Sequence, residues 1–157
     1  MTSNKNREKT INYDNKKEVL RPCWDEYFLR LAQTVSLRSH DGETQVGAVI
    51  VDSKNHTVST GYNGFPANID DENLPNLRPD KYPFFIHAEV NAIIGSKQDL
   101  SGCKIYVTYS PCRECAKLII ASGIKTCIYQ KRYVGDDHDF ILELMKLCGI
   151  VVRQYSL

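Results

Sequence analysis

The feature that most restricts the fold is a pair of short motifs that can bind one metal ion only if the chain brings them together. The first is His87-Ala88-Glu89, and the second, Pro111-Cys112-Arg113-Glu114-Cys115, has its first cysteine 25 residues after the histidine. A structural zinc site fills all four positions with protein ligands, whereas a catalytic site keeps one position for water. The motifs supply one imidazole, two thiolates and a carboxylate for proton transfer. They therefore predict a catalytic zinc centre, with three ligands (His87, Cys112 and Cys115) and Glu89 as the proton carrier.

Each motif alone has a more ordinary interpretation. A C-x-x-C pair also occurs in redox proteins and as half of a structural zinc site, and most His-x-Glu pairs are surface coincidences. Pro111 fits the first turn of a helix, so Cys112 and Cys115 lie three residues apart on one helix face. A helix start also favours the thiolate form of cysteine. The joint occurrence of both motifs at predicted helix starts favours catalytic zinc.

Hydrophobic periodicity predicts alternating helices and strands. A helix follows Pro22, and three further helices are predicted at about 87–97, 112–122 and 139–148. Strands are predicted at 46–51, 57–62, 104–108, 126–129 and 150–152, and the first two form a hairpin. This order predicts an α/β fold, a three-layer α/β/α sandwich around one five-stranded mixed sheet of order 2-1-3-4-5. Strands 4 and 5 are expected to be parallel because a helix connects them.

Length and charge limit the organisation of the chain and its partners. The 157 residues predict one domain at 21–157, preceded by a polar, flexible tail at 1–20. The 20 basic and 19 acidic residues give a net charge of +1, so no extended basic face for a long nucleic acid is expected. No apolar run is long enough for a membrane span, and the first 17 residues lack the apolar segment of a secretory signal. We therefore expect a cytoplasmic protein with no membrane partner.

The remaining cysteines and histidines have more ordinary interpretations than metal binding. In a reducing compartment, disulfides are disfavoured for the six cysteines. The four cysteines outside the C-x-x-C motif are expected to be buried or partly buried thiols: Cys23, Cys103, Cys127 and Cys148. The three histidines outside the first motif, His40, His56 and His138, are expected to be solvated or to anchor loops.

Several segments together resemble the deoxycytidylate (dCMP) deaminase family of the zinc-dependent cytidine/deoxycytidylate deaminase superfamily. The zinc motif is shared across the superfamily, whereas Gly61-Tyr62-Asn63-Gly64-Phe65-Pro66 is more discriminating. The resemblance runs in order from about residue 22 to the C-terminus and implies a cytidine deaminase-like fold. The segments that carry it are Trp24–Phe28, Arg38–Ser39, Gln45–Ala48, Gly61–Pro66, His87–Ile93 and Ser110–Lys117.

The resemblance implies hydrolysis of dCMP to dUMP and ammonia, which supplies dUMP for thymidylate synthesis. It implies one zinc ion per chain, Glu89 as the catalytic residue and Asn63 as a hydrogen-bond partner of the deoxyribose. The backbones of Ala88 and Ser110 would hold the edge of the cytosine ring. Cationic or hydroxyl groups for the 5′-phosphate would follow the fourth strand at Lys131, Arg132 and Tyr133, and Arg38 is a further candidate. A structural role for Asn63 stays open, because the sequence Tyr-Asn-Gly also commonly forms a turn.

The resemblance also implies assembly and regulation. Family members are commonly homo-hexamers, activated by dCTP with Mg²⁺ and inhibited by dTTP, and regulated members often have Gly-Cys where this chain has Ala67-Asn68. The acidic run Asp70-Asp71-Glu72 is either a magnesium ligand or a solvated loop. Two other functions stay open: another deaminase of the zinc class, acting on tRNA adenosine or another nucleotide, and a zinc-stabilised interaction module without catalysis.

Overall fold

The computed structural model describes residue 17 and residues 19–135 and 137–157. The predicted elements are confirmed in type and order within these residues, with ends that differ by one or two residues. The predicted tail lies outside the described residues except for 17, 19 and 20. The elements are α1 (Trp24–Ser36), β1 (Gly47–Val51), β2 (Thr57–Tyr62), α2 (Ala88–Gly95), β3 (Lys104–Tyr109), α3 (Arg113–Ala121), β4 (Thr126–Lys131), α4 (His138–Leu147) and β5 (Val151–Gln154).

The five strands form one mixed sheet in the order β2-β1-β3-β4-β5. β1 pairs antiparallel with both β2 and β3, while the β3–β4 and β4–β5 pairs are parallel. Helices α3 and α4 form the crossovers between the parallel strands. The predicted strand order and the parallel pairing of strands 4 and 5 are confirmed.

The two faces of the sheet pack against different helices. All five residues of β1 are buried, and because side chains alternate between faces, this strand contributes to both cores. Val49 and Val51 pack with Phe28 and Leu29 of α1 on one face. On the other face, Ala48 and Ile50 share a core with residues of α2, α3 and α4, namely Ala88, Ala92, Ala116, Ile119, Ile141 and Met145. The predicted α/β/α layering is therefore confirmed.

A glycine in β2 sets how closely α2 approaches the sheet. A Cβ atom at Gly61 would lie 2.3 Å from the carbonyl oxygen of Ala88 and 2.3 Å from the amide nitrogen of Ala92. These are backbone atoms and cannot rotate away, so any side chain at position 61 would push the start of α2 off the sheet. The start of α2 carries the first sequence motif.

The four other thiols divide into two pairs. Cys103 and Cys127 are buried as expected. Cys23 and Cys148 are exposed, so the prediction of burial is wrong for them, because both lie at helix ends facing solvent. The Sγ atom of Cys23 accepts a hydrogen bond from the backbone N–H of Glu26 and so caps α1.

Two of the three remaining histidines behave as expected. His40 contacts Asp71 at 3.2 Å and His56 contacts Asp52 at 3.1 Å, so both anchor loops. His138 contradicts the prediction: only 4% of it is exposed, because it begins α4 and packs edge-on against Tyr129. Its Nε2 atom is buried without a hydrogen-bond partner, and burial lowers the pKa of this imidazole.

In the part of the chain that the structure describes, every helix is too short or too polar to cross a lipid bilayer.

Candidate active site

The structure brings the two sequence motifs together at the starts of two helices. His87 is the N-cap residue of α2, Cys112 is the N-cap residue of α3, and Cys115 lies in the first turn of α3. The Nδ1 atom of His87 is 3.4 Å from the Sγ atom of Cys112 and 3.3 Å from that of Cys115. Among the described residues, these three form the one group of histidine, cysteine and acidic side chains close enough to share a metal ion.

The separations suit a tetrahedral zinc ion. Zinc–sulfur and zinc–nitrogen bonds of about 2.3 and 2.0 Å at a tetrahedral angle place sulfur and nitrogen ligands about 3.5 Å apart. Without metal, the three groups share protons: hydrogen bonds from Cys115 and His87 lower the pKa of Cys112, and the bond to Cys112 raises the pKa of Cys115. Zinc would take the thiolate form of both cysteines and release those protons. The donor set therefore fits a zinc ion.

Glu89 lies in the first turn of α2 with only 4% of its surface exposed. Burial is the largest influence on this carboxyl group and raises its pKa to about 7. A carboxyl group that titrates near neutral pH can both accept and return a proton. Glu89 is therefore suited to proton transfer beside the metal ligands.

Two of the ligands, His87 and Cys112, and Glu89 line a cavity of about 600 Å³, while Cys115 is buried behind its wall. Three predicted substrate-binding residues, Asn63, Ala88 and Tyr133, lie on its wall. The predicted residues Ser110 and Arg132 are not part of this wall, and Arg132 instead contacts Asp139. The long segment between β2 and α2 contributes four lining residues that the sequence did not indicate, Arg78, Lys81, Tyr82 and Phe85.

All four hydrogen-bonding positions of the Asn63 side chain are filled. Its Oδ1 atom accepts bonds of 2.7 Å from the Ser39 hydroxyl and the Val46 backbone N–H. Its Nδ2 atom donates to Asp41 at 3.0 Å and to the carbonyl oxygen of Thr44 at 2.9 Å. An amide has two donors and two acceptor positions, so this set is complete. A bond to a sugar hydroxyl would have to replace one of these contacts.

Lys81 lies on the cavity wall, which the sequence did not predict. It is 2% exposed, and its Nζ atom lies 2.6 Å from Asp41 and 3.0 Å from Glu43. Because Asp41 also accepts the bond from Asn63, Lys81 ties the long segment to the asparagine of the cavity wall. A lysine in a polar loop normally indicates a solvated side chain, so the sequence carried no signal for this role.

Ser110 is positioned by the two parallel strands. Its backbone N–H donates to the carbonyl oxygen of Lys131 at 2.8 Å, and its hydroxyl accepts the N–H of Tyr133 at 2.9 Å. These two bonds fix the backbone and the side chain of Ser110 between the strands. The N–H groups of Ala88 and Glu89 lie in the first turn of α2, where backbone donors have no partner within the helix.

The acidic run at 70–72 does not assemble into a metal site. Asp71 faces His40, and Asp70 accepts the backbone N–H of Glu72. Within the described ranges, these three carboxylates do not come close enough together to qualify as a candidate metal cluster.

Comparison with known proteins gives a consistent family. The family model for the cytidine and deoxycytidylate deaminase zinc-binding region matches residues 22–131. The chain is 41% identical over 142 residues to mouse deoxycytidylate deaminase, covering 85% of this chain and 80% of the mouse protein. It is 41% identical to the human deoxycytidylate deaminase over 141 residues, covering 84% of this chain and 79% of the human protein.

A solved structure supports the same family and the predicted cytidine deaminase-like fold. The dCMP deaminase of cyanophage S-TIM5, in complex with dCMP and dUMP, superposes with a TM-score of 0.74. The two chains are 26% identical, and the match covers 87% of this chain and all of the phage chain. The zinc-ligand motifs, the sheet and these similarities agree: the chain belongs to the cytidine and deoxycytidylate deaminase family.

Proposed function

We propose that the chain catalyses the hydrolytic deamination of dCMP to dUMP and ammonia and so supplies dUMP for thymidylate synthesis. The observation that carries the proposal is a group of three zinc ligands, two of which line one cavity together with the buried Glu89. The similarity to deoxycytidylate deaminases over most of the chain points to dCMP within the zinc deaminase class.

The reaction replaces the 4-amino group of cytosine with oxygen from water. A zinc ion held by His87, Cys112 and Cys115 would polarise that water and lower its pKa from about 15.7 toward about 7. Glu89 accepts one proton of the water and delivers it to N3 of the ring. It then takes the second proton from the new hydroxyl group on C4 and passes it to the departing amino group, which leaves as ammonia. In the metal-free chain burial raises the pKa of this carboxyl group, and bound zinc would favour the carboxylate form that accepts the first proton.

The substrate contacts follow from the cavity wall and the family resemblance. Ala88, on the wall, would offer its backbone to the edge of the base, and the resemblance alone assigns the same role to the backbone of the buried Ser110. Asn63 would contact the sugar after exchanging one internal hydrogen bond. Tyr133 would stand near the 5′-phosphate, and its position on the wall supports this role. Arg132 stays a prediction from the resemblance alone.

A panel of substrates tests the proposal with the zinc-loaded protein. Ammonia release is measured with dCMP, deoxycytidine, CMP, cytidine, dCTP and an RNA that contains adenosine. We expect kcat/KM for dCMP to exceed that for deoxycytidine by at least about 100-fold, since charge-assisted contacts to a phosphate contribute about 1.5–3 kcal/mol each. Equal efficiency on both would refute the monophosphate assignment, and activity confined to RNA adenosine would place the chain in another branch of the class.

The remaining expectations are also proposals by family resemblance. We propose a cytoplasmic homo-hexamer that responds to dCTP with Mg²⁺ and to dTTP. The unpaired state of all six cysteines is compatible with a reducing compartment. Light scattering coupled to size-exclusion chromatography measures the assembly, and initial rates with and without each nucleotide measure the regulation.

A further inference from the structure

The cavity wall contains few positive charges to meet a phosphate. Among the described residues, its cationic side chains with permanent charge are Arg78, Lys81 and Arg113. Lys81 is buried against two carboxylates, Asp41 and Glu43, and has no free charge to offer. The choice for phosphate recognition on this wall therefore lies between the two arginines.

Arg78 already makes contacts with the segment before β1. Its Nη2 atom donates to the hydroxyl of Thr44 at 3.0 Å, and its backbone N–H donates to Glu43 at 2.7 Å. Its Nε atom also lies 3.9 Å from Glu43. These contacts hold the segment before α2 against the segment before β1, so moving the Arg78 guanidinium would loosen the wall.

Arg113 has a different partner. It is the first residue of α3, directly after the metal ligand Cys112, and its guanidinium contacts the carboxylate of Asp137. Both side chains line the cavity and are more than half exposed, at 57% and 59%. The ion pair therefore closes across the cavity edge, between the start of α3 and the start of α4, and solvent weakens it.

Asp137 does not cap the helix that it precedes. It occupies the N-cap position of α4, where an aspartate normally accepts backbone N–H groups of the first helical turn. Here its side chain makes no capping hydrogen bond and binds Arg113 instead. Releasing Arg113 would return the Asp137 carboxylate to solvent, which costs little because more than half of this side chain is already exposed.

We infer that Arg113 is the residue that selects the 5′-monophosphate, and that Asp137 holds its guanidinium until a phosphate replaces the carboxylate. A guanidinium matches two phosphate oxygens as well as two carboxylate oxygens, and the phosphate carries more charge. This inference rests on the proposed function, because it assigns a recognition residue for the substrate of the same site. It differs from the sequence-based expectation, which placed the phosphate near Lys131, Arg132 and Tyr133, with Arg38 as a further candidate.

The test compares Arg113→Gln with a matched control. Arg153 lies on β5, outside the cavity lining, and its half-exposed guanidinium pairs with the less exposed Asp25, so Arg153→Gln removes an arginine–carboxylate pair away from the site. For Arg113→Gln we expect KM for dCMP to rise about tenfold or more while kcat changes less than twofold, because a charge-assisted contact to phosphate is lost. The dissociation constant of dUMP, measured by calorimetry, should rise by the same factor, and that of deoxyuridine should not change. Arg153→Gln should leave all of these values unchanged.

Two further variants sharpen the result. Asp137→Asn removes the competitor for Arg113, so KM for dCMP should fall by up to about fivefold, the worth of an exposed ion pair. A rise in KM for Arg132→Gln together with no change for Arg113→Gln would overturn the inference and return the phosphate to Arg132. If the wild-type protein does not turn over dCMP at all, the proposed function itself fails, which this comparison separates from a wrong recognition residue. Zinc content and melting temperature of each variant show that folding and the metal site are intact.

Discussion

Replacing Glu89 with glutamine should make the metal-free protein more stable, by an amount that depends on pH. Burial raises the pKa of the Glu89 carboxyl group from 4.5 to about 7. Each pKa unit corresponds to about 1.4 kcal/mol, so the folded state is less stable by about 3 kcal/mol once the unfolded chain has ionised this group. Glutamine has nearly the same shape and no charge, so it avoids that cost.

The sign follows from the protons bound in each state. Below about pH 4.5 the group is protonated whether folded or unfolded, and its titration contributes nothing to the difference between variant and wild type. Between about pH 4.5 and 7 the folded state keeps its proton while the unfolded state loses it, so stability falls as pH rises. Above about pH 7 the difference reaches its full value and stays constant.

Urea unfolding of chelator-treated, reduced protein measures the difference at several pH values. The excess stability of Glu89→Gln should grow by about 3 kcal/mol from pH 4.5 to pH 8. Glu143→Gln removes an exposed carboxylate on α4 and serves as the control for charge removal alone. A difference between Glu89→Gln and wild type that does not change with pH would refute the burial argument. Bound zinc would favour the carboxylate, so the measurement requires metal-free protein.

The same variant tests the chemistry in the zinc-loaded form. Glu89 is not among the three ligands, so Glu89→Gln should keep about one zinc ion per chain and release no ammonia from dCMP. Metal analysis and an ammonia assay on one preparation give both values. Normal turnover would remove Glu89 from the mechanism.

Three other variants probe the scaffold around the site. Cys115→Ser should reduce zinc, measured by metal analysis, to a small fraction of one ion per chain, and full retention would remove Cys115 from the ligand set. Lys81→Met should lower the free energy of unfolding, measured by urea unfolding, by about 3–5 kcal/mol, because Asp41 stays buried without its cation. Adding Asp41→Asn to this variant should recover part of that loss, and no recovery would contradict the pairing. Gly61→Ala should lower the free energy of unfolding by about 1–3 kcal/mol and reduce zinc occupancy. The reason is that the added Cβ atom would lie 2.3 Å from the Ala88 carbonyl oxygen. Unchanged zinc content would show that α2 tolerates the shift.

The fold and the metal ligands could be predicted because their signals are local in the sequence. Strand and helix patterns depend on residues two to four positions apart, and the hairpin and crossovers leave few topologies. The ligand motifs are equally short, and each begins at a helix start. Their meeting point follows from the fold without any knowledge of side-chain packing.

The cavity wall could not be predicted, because its contacts join residues far apart in the sequence. Lys81 reaches Asp41 across 40 positions, and Arg113 reaches Asp137 across 24. In the sequence each of these is one charge among many on a near-neutral chain. His138 was misjudged for the same reason: the packing of α4 against Tyr129, which no local pattern encodes, decides its burial.

Stability and function make opposite demands on this wall. Glu89 has a raised pKa because it is buried, and that burial reduces stability at neutral pH. The buried pair of Lys81 and Asp41 adds little net stability by the usual balance of desolvation and attraction, yet it keeps the Asn63 amide in one orientation. Buried ionisable side chains, which lower the free energy of unfolding but serve the chemistry, therefore cluster where the substrate would bind. The apolar cores on both faces of the sheet provide the stability. For this reason, variants that neutralise wall charges should separate into those that gain stability and lose turnover, as Glu89→Gln should, and those that lose both, as Lys81→Met should.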